Sequence, residues 1–186
     1  MPIVNGEEEE RKGTMDIASI MAVAARTAPK SGGVDDIITA VVYGAEKETI
    51  GVEMGKMADE RNIKNFKRDA KNVRDSEVVV LIGVRGTKKF GLDCGACGYA
   101  SCEKFEKVVK KGRGLDFEGP TCLFKALDLG IAIGSAVKIA SLLNVDNRIM
   151  YRIGAAVKRL NYMPEASTIM GIPLSAKGKS IYFDRG

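Results

Sequence analysis

Apolar residues recur along this chain with two periods, one of helices and one of strands. From Thr14 onward, Ile17, Ile20, Met21, Ala24 and Ala25 fall at i, i+3, i+4, i+7 and i+8, the spacing of a helix with one buried face. Thr14 is placed to cap its start, Ala28-Pro29 stops it, and the acidic run Glu7 to Glu10 reads as a surface helical lead-in. After the loop Lys30-Ser31-Gly32-Gly33, Ile37 to Tyr43 is nearly continuous in apolar, β-branched residues, so it is expected as a central strand buried on both faces. Val78 to Val84 has the same character. Between them, Ala45 to Arg61 returns to helical spacing despite Gly51 and Gly55, and Phe66, Ala70 and Val73 suggest a shorter helix.

The second half begins with a helix expected from a Ser101 cap to Lys111. Phe105, Val108 and Val109 face inward, and Glu103/Lys107 and Glu106/Lys110 form outer i, i+4 pairs. Leu123 to Leu143 is apolar almost all round and predicts a central buried helix; Lys125, Asp128 and Lys138 make it too charged for a membrane span. Gly130 and Gly134 permit close approach on that helix, either of core neighbours or of a planar cofactor. Asp146 or Asn147 can cap a further helix ending near Leu160. Ser167 to Ile172 and Lys179 to Asp184 read as strands, the last at an edge or given to a partner subunit. Helices alternating with strands over 186 residues predict one layered α/β domain of the α+β type.

A formal charge of +5 is modest and spread out, so nucleic-acid binding is not demanded. The densest basic run, Lys107 to Arg113, serves either as a solvated helix face or as a positive rim that steers an acidic redox partner. Met1 to Glu10 has neither a basic nor an apolar leader segment, which predicts a cytoplasmic protein in a reducing compartment. There is no histidine, so neither a Ser-His-Asp nor a Cys-His arrangement can be built, and hydrolysis through histidine is excluded. No P-loop or dinucleotide glycine fingerprint is present.

The chemistry lies in the cysteines. All four, Cys94, Cys97, Cys102 and Cys122, fall within 29 residues as C-x2-C-x4-C-x19-C. A sulfur-only, four-coordinate set selects an iron–sulfur cluster or zinc, and the absence of histidine removes mixed zinc sites. One C-x2-C knuckle rather than two favours a [4Fe–4S] cluster, whose ligands come from a wrapping loop plus one distant residue; structural zinc and a disulfide are the alternatives. Gly95 and Gly98 suit a loop that turns backbone N–H groups toward the sulfides.

The run Cys94-Gly-Ala-Cys97-Gly-Tyr-Ala-Ser-Cys102-Glu-Lys-Phe105, followed by Cys122, resembles the small [4Fe–4S] domain of the gamma subunit of acetyl-CoA synthase/CO dehydrogenase complexes. It is also similar to that of the B subunit of ion-pumping ferredoxin oxidoreductases. The whole chain resembles an uncharacterised family of proteins containing a ferredoxin domain. The resemblance implies the four cysteines as ligands and Phe105 packed beside the cluster.

A second resemblance rests on Ala25-Arg26-Thr27-Ala28-Pro29-Lys30-Ser31-Gly32, on the 123–143 helix and on Ile169-Met170-Gly171-Ile172-Pro173, which look like parts of nitroreductase-like flavoproteins. It implies a nitroreductase-like three-layer sandwich with a cluster module inserted at 86–122. It also implies FMN at a homodimer interface and exchanged terminal segments. Arg26, Lys30, Ser31, Lys177 and Lys179 are the candidate flavin contacts. The family's early phosphate grip has only Arg11-Lys12-Gly13-Thr14 as a stand-in, and Gly33-Val34-Asp35 replaces its flavin-facing amide. Two functions follow: electron transfer or redox catalysis with a partner protein or flavin, or a non-enzymatic module that binds or senses through its cluster.

Overall fold

The computed structural model describes residues 3–109 and 115–183. Its elements are α1 (Gly6–Thr27), β1 (Ile37–Tyr43), α2 (Gly44–Arg61), α3 (Lys64–Asp75), β2 (Val78–Val84), α4 (Cys102–Val108), α5 (Leu123–Leu142), β3 (Asp146–Asn147), α6 (Tyr151–Arg159) and β4 (Thr168–Ser175), with a 3-10 turn at Ser31–Gly33. The strands form one antiparallel sheet in the order β1-β2-β4-β3.

The continuous apolar run of β2 follows from its place between two helical layers. Val78, Val80, Ile82 and Val84 enter a core shared with Ala18, Met21 and Ala25 of α1 and Ala132, Ala136 and Ala140 of α5. Val79 and Leu81 enter the other core, built from α2, α3 and α6 around Met54, Phe66, Val73 and Ile153. A period-2 strand with helices on both faces has no solvent side to leave polar. The three-layer sandwich expected from the sequence is therefore the fold.

Several local expectations are corrected. Helix α1 begins at Gly6, where the Asn5 side chain accepts a hydrogen bond from Glu7 N at 3.1 Å. Thr14 is thus not a cap but a buried position inside the helix, its hydroxyl donating to Glu10 O at 2.6 Å. Ile20, read as inward, is exposed; the buried stripe is Thr14, Ala18, Met21 and Ala25. Strand β1 is not central. Among the described residues it pairs only with β2, lies at an edge of the sheet and is half-buried, because β-branched composition reports fitness for a sheet rather than a place in it.

Asp146 and Asn147 form the short strand β3 instead of capping a helix, and α6 starts later, after Met150. Strand β4 runs through Pro173 to Ser175 rather than stopping at Ile172. On its outer side Gly171 bridges to Met150 and Ser175 pairs with Asp146, so Pro173, in phase with both, falls in the gap between them. Residues 179–183 form no strand: Tyr182 turns into the α2/α3/α6 core and Arg148 donates to its carbonyl at 3.2 Å. Asp184, the expected end of that strand, lies outside the described residues.

Helix α5 is corrected most. It is buried on one face only, with Leu123, Leu127 and Ile131 exposed at 42%, 52% and 43%. Gly130 and Gly134 have open space where a Cβ would stand, so neither packs on this chain's core.

Candidate metal centre

Residues 86–122 leave the sheet after β2 and return to it at α5, and both ends are tied at one root. Arg85 N donates to Asp36 O at 3.0 Å, and Cys122 N donates to Gly86 O at 2.9 Å. Gly86 N donates to Ser167 Oγ at 2.8 Å. A side chain at Gly86 would meet Thr121 Cγ2 at 2.6 Å, so only glycine lets the outgoing and returning strands approach this closely. Cys122 is thereby fixed at the first turn of α5, and Ala126 N donates to its carbonyl at 3.0 Å.

The other three cysteines sit on a loop held by its own backbone. Gly95 and Gly98 take φ of 69° and 88°, and Gly98 N donates to Gly95 O at 2.9 Å, closing a turn between Cys94 and Cys97. Asp93, with φ of 48°, accepts a hydrogen bond from Cys102 N at 2.6 Å across the loop. Ser101 caps α4 as the sequence predicts, accepting from Lys104 N at 3.2 Å. The helix ends at Val108 instead of Lys111; Lys110 and Lys111 lie outside the described residues. Phe105 is buried and Val108 exposed, so a single residue forms most of its inner face.

The four cysteines line one small cavity, partly open to solvent, with Phe90, Tyr99, Phe105 and Phe124 in its wall. Tyr99 stands edge-on to Phe105 at 5.9 Å, and Phe90 leans on Phe124 at 5.7 Å. Exposure is graded: Cys94 is exposed, Cys97 and Cys102 are intermediate, and Cys122 is buried. Gly91 N donates to Cys102 Sγ at 3.3 Å.

The donor set fits a thiolate-held centre: the residues lining the cavity include all four cysteines and no carboxylate. Aromatic walls and a backbone donor to sulfur are the surroundings that tune thiolate-held clusters.

Charges near the rim are largely spent locally. Lys89 pairs with Glu106 at 2.7 Å and Lys107 with Glu103 at 2.7 Å. The Glu106/Lys110 pair and most of the Lys107 to Arg113 run fall outside the described residues. Behind the cavity lies a pairing that sequence reasoning missed: Asp36, which reads as a solvated loop carboxylate or a candidate acid or base, is buried and bonded by Lys125 and, at 2.9 Å, by Lys88. Burial pushes the Asp36 carboxyl up, but hydrogen bonds from Lys125 and Lys88 and their charges outweigh it and hold it below the usual carboxylate value. The available signal was Lys125 itself, a cation interrupting an apolar helix.

The five candidate flavin contacts are not gathered in one place. Arg26 donates to Ile37 O and pairs with Asp35 at 2.6 Å; Lys30 donates to the carbonyls of Arg26 and Ala28. Ser31 donates from both N and Oγ to the buried Asp128, at 2.9 and 2.8 Å. The turn carrying Ser31 does abut the metal centre, since a Cβ on Gly32 would lie 3.2 Å from the Phe90 ring. Lys177 is near the opposite end of β1, a strand of roughly 20 Å, where it donates to Asp75 O at 2.8 Å. Lys179 is exposed a little further along the same segment. Arg11 lines a groove there with Glu7, Glu10, Glu48 and Glu77, carboxylates that disfavour a phosphate.

Comparison with known proteins adds family and fold. A family model described as "Uncharacterized protein containing a ferredoxin domain" matches residues 118–185, and one described as "Putative Fe-S cluster" matches residues 91–116. The first covers Cys122 and the second the other three cysteines. An uncharacterized protein of Archaeoglobus fulgidus is 49% identical over 183 residues, 98% of this chain and 97% of that one.

Among solved structures, nitroreductase CinD from Lactococcus lactis in complex with nicotinic acid matches with a TM-score of 0.58 at 12% identity, over 95% of this chain and 81% of that one. A Desulfitobacterium hafniense nitroreductase with bound FMN gives a TM-score of 0.56 at 13% identity, over 88% and 78%. The NADPH:FMN oxidoreductase from Vibrio harveyi complexed with NAD+ gives 0.54 at 13%, over 97% of this chain but only 63% of that one. This chain thus spans less than two thirds of the Vibrio enzyme's length. At these identities the likeness concerns the fold.

Proposed function

Since this chain belongs to the family of proteins containing a ferredoxin domain, we propose that it is an electron-transfer protein whose Cys94, Cys97, Cys102 and Cys122 hold one [4Fe–4S] cluster. The observation that carries this reading is the convergence of every thiol in the sequence on one aromatic-walled cavity. Such a cluster, when bound, accepts and releases single electrons. Cys122 and Gly86 anchor the site to the sheet, the Gly91 N–H bond lowers electron density on Cys102 Sγ, and Phe105 keeps water from the inner side. The exposed Cys94 edge is where a redox partner would approach.

The same exposure supports a second reading, a non-enzymatic module that reports iron or oxygen by losing its cluster. Among the described residues α4 packs substantially on no other helix or strand, so loss could reshape this segment without unfolding the sandwich.

The partner surface is read from α5. Leu123 lines the cavity and also begins the exposed stripe through Leu127 and Ile131, beside the uncovered Gly130 and Gly134. A contiguous apolar face with small residues suits a second copy of the chain, and the homodimer is proposed to close there. FMN has the fold in its favour, but the residues of one chain do not fit it: Arg26, Lys30 and Ser31 are engaged internally, and Lys177 stands at the far end of β1. No step is assigned to flavin.

Anaerobic analysis of iron, sulfide, zinc and flavin on one sample tests the proposal. Four irons and four sulfides per chain are expected, lost in Cys94→Ser with the helical far-ultraviolet signal kept. Zinc as the native occupant, or a Cys94→Ser protein with its full iron, would sink it. Partner binding that vanishes on oxidation without electron transfer would favour the sensing module.

A further inference from the structure

Among the described residues three lysines are buried, and two have ordinary structural tasks. Lys47 Nζ donates to the carbonyls of Val73, Arg74 and Ser76, capping the end of α3, and Lys158 Nζ donates to the carbonyls of Pro164 and Ala166. Each also pairs with a carboxylate that reaches solvent, Glu48 at 2.8 Å and Glu118 at 2.9 Å; Lys125 differs in that its carboxylate partner is itself buried. It is 1% exposed, bonds the carboxylate of Asp36, which is 3% exposed, and holds its ammonium 5.6 Å from the centre of the Phe90 ring. Phe90 is also part of the cavity wall.

A buried cation is normally cancelled by one carboxylate, since an uncompensated charge in the interior is costly. Here Asp36 is shared between Lys125 and Lys88, so two cations stand against one anion. The group therefore carries a net positive charge, one aromatic ring behind the thiols. It belongs to the scaffold rather than to the cluster loop: Asp36 precedes β1, and Lys125 lies in the first turn of α5.

We propose that Lys125, positioned by Asp36, sets the redox potential of the cluster by stabilising its reduced form. This rests on the cluster assignment above. A cluster on four thiolates carries about −2 when oxidised and about −3 once an external donor supplies one electron, and a nearby fixed cation favours the more negative state. A unit charge at roughly 10 Å, in a medium of effective dielectric about 20, shifts that equilibrium by about tenfold. Lys88 acts in the same direction but more weakly, because its side chain reaches solvent.

The test is anaerobic redox titration of the holo-protein followed by electron paramagnetic resonance, with iron and sulfide counted for each sample and melting of each apo-protein as a folding control. K125M is expected to lower the potential by about tenfold in the equilibrium, 59 mV for one electron, and K125R to restore it. K88M, a change at a half-exposed position, is expected to lower it by a smaller step that shrinks as salt is added. Potentials that stay at the wild-type value in a cluster-loaded K125M overturn the proposal; so does an unchanged K88M at low salt if K125M does not load. A wild-type protein without iron and sulfide overturns both this inference and the cluster assignment, whereas a loaded but unshifted series overturns this inference alone.

Discussion

Phe105→Ala separates the stability of the cluster segment from that of the sandwich. Phe105 is fully buried, yet it belongs to neither hydrophobic core; it packs on Tyr99 and on the cavity wall. Truncating a buried phenylalanine costs about 3–5 kcal/mol, and that cost should fall on opening of residues 86–122 alone, since α4 contributes little to the layers. At 1.36 kcal/mol per decade, the opening equilibrium rises about 10²- to 10⁴-fold. The assay is cluster release under anaerobic chelator, followed by loss of visible absorbance, beside thermal melting of the apo-protein by far-ultraviolet circular dichroism. Release should accelerate by at least about a hundredfold, with the apo melting temperature nearly unchanged. If release kept its wild-type rate, or if the apo-protein lost the whole 3–5 kcal/mol, the separation of segment and sandwich would be wrong.

Two further outcomes are expected. Leu127→Arg puts a charge on the exposed stripe of α5; with two leucines each giving about 1.5 kcal/mol on burial, the dimer dissociation constant should rise at least about a hundredfold. Sedimentation velocity measures it, and a wild-type chain that stays monomeric at high concentration removes the homodimer. Tyr151 is pushed up to about 12 by burial and by its 2.9 Å hydrogen bond to Asp116. Its folded value lies above the unfolded value of about 10. The neutral phenol's contribution to stability is therefore complete below about pH 10 and is lost as pH rises through about 12. Ultraviolet phenolate titration should show Tyr151 and the buried Tyr182 as late tyrosines, of which only the first moves earlier in Asp116→Asn; a titration indifferent to that substitution refutes the assignment.

The thiol spacing and the strands at 37–43 and 78–84 were legible because each is a local property: ligand geometry constrains neighbours in sequence, and β-branched runs disfavour helix. The same locality explains the errors. Ile37 to Tyr43 carries the composition of a central strand but lies at an edge, since composition does not encode which strand stands alongside. The 123–142 helix is apolar all round, and sequence could not tell a face covered by this chain from one left for another.

Lys125 and Asp128 looked like interruptions of that helix, and only the tertiary structure gives them partners. Asp36 and Ser31 reach them from 89 and 97 residues away. By itself, the sequence determined the sulfur-only donor set that the chain offers a metal centre, because that depends on the side chains present and their short-range spacing. Which charges stand behind that centre, and which apolar surface stays open, was decided by folding, because both depend on contacts between segments distant along the chain.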